Sequence, residues 1–338
     1  MKKILVVCAA LSTLLCSPLL AQEADDAGST GVEFSIIPRL DLSTVPHDRD
    51  WDFTLGNSSL YSLFEGNITE NLSFSVANHW MAFCDTDPIM GDTKALYDHT
   101  FWHSDTNTWL DWAYLQYASG PWTFTLGKNV MLTGGLEYDA YDWEVHPSLA
   151  SSFWNCFAGY QWGGRIGYEL AESNTLSFEI TSSPYGERPF SSGLYAFSAG
   201  INGQIGLWQP IWSFSAIQRD DDAIEPLLYL GNRFDLEPVE LGLDFSNRVG
   251  SDLAILLKGC ALHGTAAWSI SDQFNLTGKV GYEYMSAIDT DNWNLGAAFH
   301  WYPLKDSQDL RVHATMAYDT LPETATLCVG VLYNLNLL

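Results

Sequence analysis

The chain has 338 residues, a length that ordinary domain sizes would divide into about two units. Only 17% of its residues are charged, 14% are aromatic, and 41 Asp+Glu against 15 Lys+Arg leave a net charge of −26. A hydrophobic content of 47% excludes disorder. The scarcity of Lys and Arg excludes a phosphate-backbone partner, and so nucleic acid. The N-terminus aside, no apolar run reaches the roughly 18 residues of a spanning helix.

Residues 1–21 have the three parts of a cleaved signal peptide. Lys2 and Lys3 are the basic start, Ile4 to Leu15 the apolar stretch, and Leu19-Leu20-Ala21 the cleavage site before Gln22. Cleavage leaves 13 basic and 41 acidic residues, net −28, and a single expected domain over 22–338. It also leaves Cys84, Cys156, Cys260 and Cys328. None lies in a C-x-x-C pair, so neither a zinc site nor a disulfide scaffold is indicated, and any pairing is open.

From Val32 onward the dominant period is two. Sixteen alternating segments are expected: 32–41, 51–65, 72–83, 107–117, 122–132, 159–170, 175–183, 193–203, 209–218, 226–234, 239–248, 253–269, 274–285, 292–303, 310–318 and 324–338. In 274–285, for example, Phe274, Leu276, Val280, Tyr282 and Tyr284 oppose Asn275, Thr277, Lys279 and Glu283. The two faces are ambiguous in 107–117 and 226–234. Early connections alternate between long ones, such as 84–106 and 133–158, and short polar turns. The odd-numbered connections hold 21 acids and four bases, so over half of all acids crown one end.

One apolar and one polar face per strand suits either a soluble sandwich or a membrane barrel with a wet lumen. Four features favour the barrel. Segments run about 10 residues, the length that crosses a bilayer at a tilt. Trp51, Trp109, Trp122, Tyr284, Trp293 and Trp301 mark segment ends, where interfacial girdles sit. Long and short connections alternate. The chain ends in an alternating strand, Leu327 to Leu337. The expectation is an all-β, transmembrane, antiparallel up-and-down β-barrel of about 16 strands in the bacterial outer membrane. A barrel of that size leaves an aqueous channel.

At 124–164 the text is more specific. Phe124-Thr125-Leu126-Gly127-Lys128-Asn129 leads to Gly134-Gly135-Leu136-Glu137-Tyr138-Asp139, then Phe153-Trp154-Asn155 and Tyr160-Gln161-Trp162-Gly163-Gly164. This resembles the outer-membrane porins of the Bacteroidota and, more distantly, the phosphate-selective porin O and P family. The resemblance implies a homotrimer of sixteen-stranded barrels, each with its third outer loop folded inward. Phosphate selectivity does not carry over, because loop 133–158 has four acids and no Lys or Arg.

The expected pore constriction is therefore acidic: Glu137, Asp139, Asp142 and Glu144, opposed by Lys128 and Arg165. Carboxylate rings favour cations. Lys279, Glu283, His300, Arg311 and His313 are expected to line the lumen. The partners expected are lipid, lipopolysaccharide and small hydrophilic solutes or ions. No cofactor or resident metal is implied, and the absence of a nucleophile–base arrangement argues against an enzyme. Asp220-Asp221-Asp222 with Glu225 reads as a solvated charge run. Trp102, Trp109, Trp112, Trp143 and Trp154 suit an interfacial belt better than sugar stacking. The rival readings are a secreted all-β carbohydrate-binding or carbohydrate-active protein, and a closed barrel serving as adhesin or anchor.

Overall fold

The computed structural model describes residues 31–47, 50–54, 58–82, 110–132, 159–171, 173–186, 190–219, 223–248, 260–285, 290–321 and 323–338. The chain runs through β1 (Val32–His47), β2 (Asp50–Thr54), β3 (Ser59–Thr69), β4 (Leu72–Ala82), β5 (Leu110–Ser119) and β6 (Trp122–Val130). It continues through β7 (Tyr160–Ala171), β8 (Asn174–Ser182), β9 (Tyr195–Asn202), β10 (Trp208–Gln218), β11 (Ile224–Asp235) and β12 (Val239–Arg248). It ends with β13 (Cys260–Ser271), β14 (Phe274–Met285), β15 (Thr290–Trp301), β16 (Leu310–Asp319), β17 (Thr324–Tyr333) and β18 (Leu335–Asn336).

From β3 to β17 each strand pairs antiparallel with its chain neighbours, and β1 pairs with β17 from Arg39↔Leu332 to Thr44↔Leu327, which closes the sheet. β1 meets β2 along one part of its length and β3 along the rest, so these two make one stave. β17 and β18 make another, because both pair with β1. The eighteen strands are thus sixteen staves of a closed barrel, as the periodicity predicts. The segment 51–65 is interrupted between β2 and β3, and 253–269 is described only from Cys260.

Alternation determines which face each side chain takes, and here it runs opposite to a soluble core. Among the described residues the buried set holds 34 polar or charged side chains and 18 apolar ones, while many large apolar side chains are exposed. On β1, Ser35, Arg39, Asp41 and Ser43 turn inward and are buried, whereas Val32, Leu40 and Leu42 are exposed. A sandwich would bury the apolar set. This arrangement suits hydrocarbon outside and a polar lumen inside, and closure leaves no sheet edge unpaired in lipid.

Aromatic side chains ring the outer surface near strand ends. Tyr117, Trp122, Trp268, Phe274, Trp301 and Tyr333 are exposed at the short-turn end, and Trp293 and Tyr318 at the other. Amphipathic rings of this kind settle at headgroup level. Asn232 also turns outward, paired with exposed Leu243. It accepts N–H bonds from Trp208 (3.1 Å) and Trp212 (3.2 Å) and donates to the carbonyls of Leu230 and Leu243. Its polar atoms are satisfied without water, as a lipid-facing amide requires.

The two ambiguous segments have a physical explanation. On β5, Trp112 turns inward and joins Ile37, Tyr61, Leu63 and Ala77, with Tyr114 packed against them. On β11, Leu227 turns inward and joins Met131, Ala196 and Ile217. Both strands are therefore apolar on each face. Trp112 belongs to an inner-wall cluster, 6.1 Å from the Tyr61 ring and 5.8 Å from that of Tyr160, and not to an interfacial belt.

Candidate functional site

The inner wall is the candidate permeation surface, and its most informative feature is where β6 ends. Met131 still pairs with the wall, donating its N–H to Gly159 O at 2.8 Å. Met131 and Leu132 lie against the inner faces of β8 to β11. The Met131 side chain fills a socket formed by Ala196, Ile217 and Leu227, with Tyr185 at its edge. Leu132 donates its N–H to Glu179 Oε1 at 2.8 Å and accepts from the Ser215 hydroxyl at 3.2 Å. Its side chain lies over Gly200, where a Cβ would come within 3.2 Å of Leu132 Cδ2. Residues 131–132 are thus inside the barrel at the root of loop 133–158. Glu137, Asp139, Asp142 and Glu144 themselves lie outside the described residues.

Arg165 and Lys128 are both engaged with the wall. Arg165 grips Glu179 Oε2 through Nε (2.8 Å) and Nη2 (2.6 Å) and also donates to Val130 O at 2.5 Å. It thereby fixes the carboxylate that holds Leu132. Lys128 is buried, donates through Nζ to Leu110 O at 2.5 Å, and feels the charge of Asp111.

Lys279, Glu283, His300, Arg311 and His313 all turn inward on β14, β15 and β16 and are buried. His300 and His313 are register partners. His313 then meets Asp41 across β17, because Gly330 stands between them. Asp41 Oδ1 lies 3.0 Å from His313 Nε2, and Arg39 Nη2 holds Oδ2 at 2.5 Å. A Cβ at 330 would overlap the Asp41 carboxylate and sit 2.5 Å from His313 Nε2. Cys328 Sγ completes the cluster at 3.5 Å from Asp41 Oδ2. Asp, His and Cys can together hold a metal, but Arg39 already neutralises the carboxylate here, so the group reads as a wall-bracing ion network. Cys260 and Cys328 form no disulfide among the described residues; Cys84 and Cys156 lie outside them.

Elsewhere Glu225 accepts from Tyr185 Oη at 3.0 Å and pairs with Arg219 at 3.4 Å, while Asp220, Asp221 and Asp222 fall outside the described residues. Asp41, Glu179, Met131 and Gly330 were not singled out from the sequence. A glycine inside an otherwise alternating strand was the available signal for Gly330, since it marks close approach by a neighbour.

No protein-family model matches the sequence, and no characterised protein matches it at the sequence level. The fold does find relatives among solved structures. The anion-selective porin from Comamonas acidovorans aligns with a TM-score of 0.63 at 10% identity, covering 90% of this chain and 99% of that one. The outer membrane channel DcaP of Acinetobacter baumannii aligns with a TM-score of 0.61 at 12% identity, covering 91% and 100%. A mutant Rh. blastica porin aligns with a TM-score of 0.56 at 14% identity, covering 90% and 100%. The chain has the barrel fold that these porins and channels share.

Proposed function

We propose that this chain is an outer-membrane porin, a water-filled channel through which small hydrophilic solutes diffuse passively. The observation that carries this reading is the inverted burial pattern of a closed sixteen-stave barrel, polar within and apolar without. The likeness to porin structures supports it. The lumen is narrowed by loop 133–158, whose root at Met131 and Leu132 already lies inside the wall. Its four carboxylates bias the channel toward cations, helped by the acidic crown of outer connections. Residues 1–21 direct export. The barrel assembles as a homotrimer, and its acidic rim meets lipopolysaccharide through divalent cations. Narrower kinship with the Bacteroidota porins rests on the resemblance at 124–164 alone.

Liposome swelling tests this reading. Proteoliposomes should swell in small sugars and progressively less as the sugar grows. Swelling no faster than empty liposomes would favour the closed-barrel anchor.

A further inference from the structure

A recess on the inner wall has the makings of a cation site. His263 lies on β13, Gly281 and Glu283 on β14, Asn294 on β15 and Asp319 on β16. Register puts His263 and Asn294 on either side of Gly281. With no side chain there, both lean over the glycine. The point where a Cβ would stand is 2.8 Å from His263 Nε2 and 2.9 Å from Asn294 Oδ1. The imidazole edge, nearest through Cδ2, and the amide oxygen therefore meet over the glycine.

Neither atom has a hydrogen-bond partner, although His263 is 1% and Asn294 4% exposed. Glu283 Oε1 stands 3.3 Å from His263 Nε2, within ion-pair distance but outside hydrogen-bond geometry. Asn294 is oriented from behind, since its Nδ2 donates to Asp319 Oδ1 at 3.0 Å. An unsatisfied buried polar atom is destabilising. Two of them aimed at one recess call for a ligand of complementary chemistry.

An imidazole lone pair, an amide oxygen and a carboxylate oxygen form a donor set for a cation. Imidazole selects zinc, nickel and copper over magnesium and calcium, which prefer oxygen alone. Lys279, two residues from Gly281 on the same face of β14, opposes a cation here, and its charge also reaches Asp319. The Asp41–His313–Cys328 cluster differs, because Arg39 and His313 already share that carboxylate.

We propose that this recess binds one divalent cation of the zinc, nickel and copper class, held by His263 Nε2, Asn294 Oδ1 and Glu283 Oε1. The channel reading matters to this assignment only for the route by which the ion arrives.

The test uses the full chain in detergent, stripped with a chelator and titrated with Zn²⁺ in excess Mg²⁺. Magnesium competes for the acidic loops but not for an imidazole nitrogen. The expected result is one Zn²⁺ per chain, with His263→Gln and Glu283→Gln each weakening it about tenfold or more. Zn²⁺ that Mg²⁺ fully displaces, or equal affinity in wild type and His263→Gln, would overturn the site. Should His263→Gln fail to fold, Glu283→Gln decides in the same way. Binding in detergent needs no conduction, so this result and the liposome result can fail separately.

Discussion

The backbone amide of Leu132 is held at 2.8 Å by the carboxylate of Glu179, 47 residues further along the chain and two strands away. That bond, with the Met131 socket, turns the end of β6 into the lumen instead of outward over the rim. Arg165 holds the same carboxylate from β7. Glu179→Ala should free the loop root and raise single-channel conductance. It should also leave the half-buried Arg165 without its carboxylate, costing about 1–3 kcal/mol of stability. Conductance together with denaturant unfolding checks both parts. Unchanged conductance would place the narrowing elsewhere.

Gly330 is the gap through which Asp41 and His313 meet. Gly330→Ala should push the carboxylate and imidazole apart, because the added Cβ overlaps the first and lies 2.5 Å from Nε2 of the second. A loss of about 1–3 kcal/mol is expected, the cost of leaving a buried polar group unsatisfied. Val329→Ala, one residue away on the exposed face, should change stability far less. Thermal unfolding of the two variants side by side makes the comparison.

The outer face should respond to charge by depth. Leu243 sits midway along β12 and is exposed, so Leu243→Arg should cost about 2–4 kcal/mol in a bilayer. Ile270 is exposed at the short-turn end of β13, and Ile270→Arg should cost about 0–1 kcal/mol. Equal costs, measured by unfolding from lipid vesicles, would contradict a hydrocarbon environment around this surface.

Period-two alternation carried most of the architecture because each stave has one apolar and one polar face. All sixteen staves were legible from it, as were the inward positions of Lys279, Glu283, His300, Arg311 and His313. The alternation failed where the inner face is itself apolar, at Trp112 and Leu227. Those positions are where the inner clusters form, including the socket for Met131. The Asp41–His313 contact was illegible for a different reason. Its partners are 272 residues apart, and only closure of β1 onto β17 brings them together. Glu179 likewise looks like any inward acid until the path of Leu132 is known. Composition also had a spatial meaning: among the described residues Trp122, Trp268, Trp293, Trp301 and many other rings lie on the outward surface, while Tyr61, Trp112 and Tyr229 turn inward.

The acidic loop makes the remaining prediction. Replacing Glu137, Asp139, Asp142 and Glu144 by Gln or Asn should reduce cation preference without closing the channel, because the wall and loop root are untouched. Selectivity that stays at the wild-type value would assign the filter to other acids.

The most direct measurement is the reversal potential of wild-type protein in a planar bilayer under a salt gradient. Ohmic channels are expected, with a reversal potential of the sign that cation preference gives. Absence of current, or a strongly anion-selective potential, would contradict it.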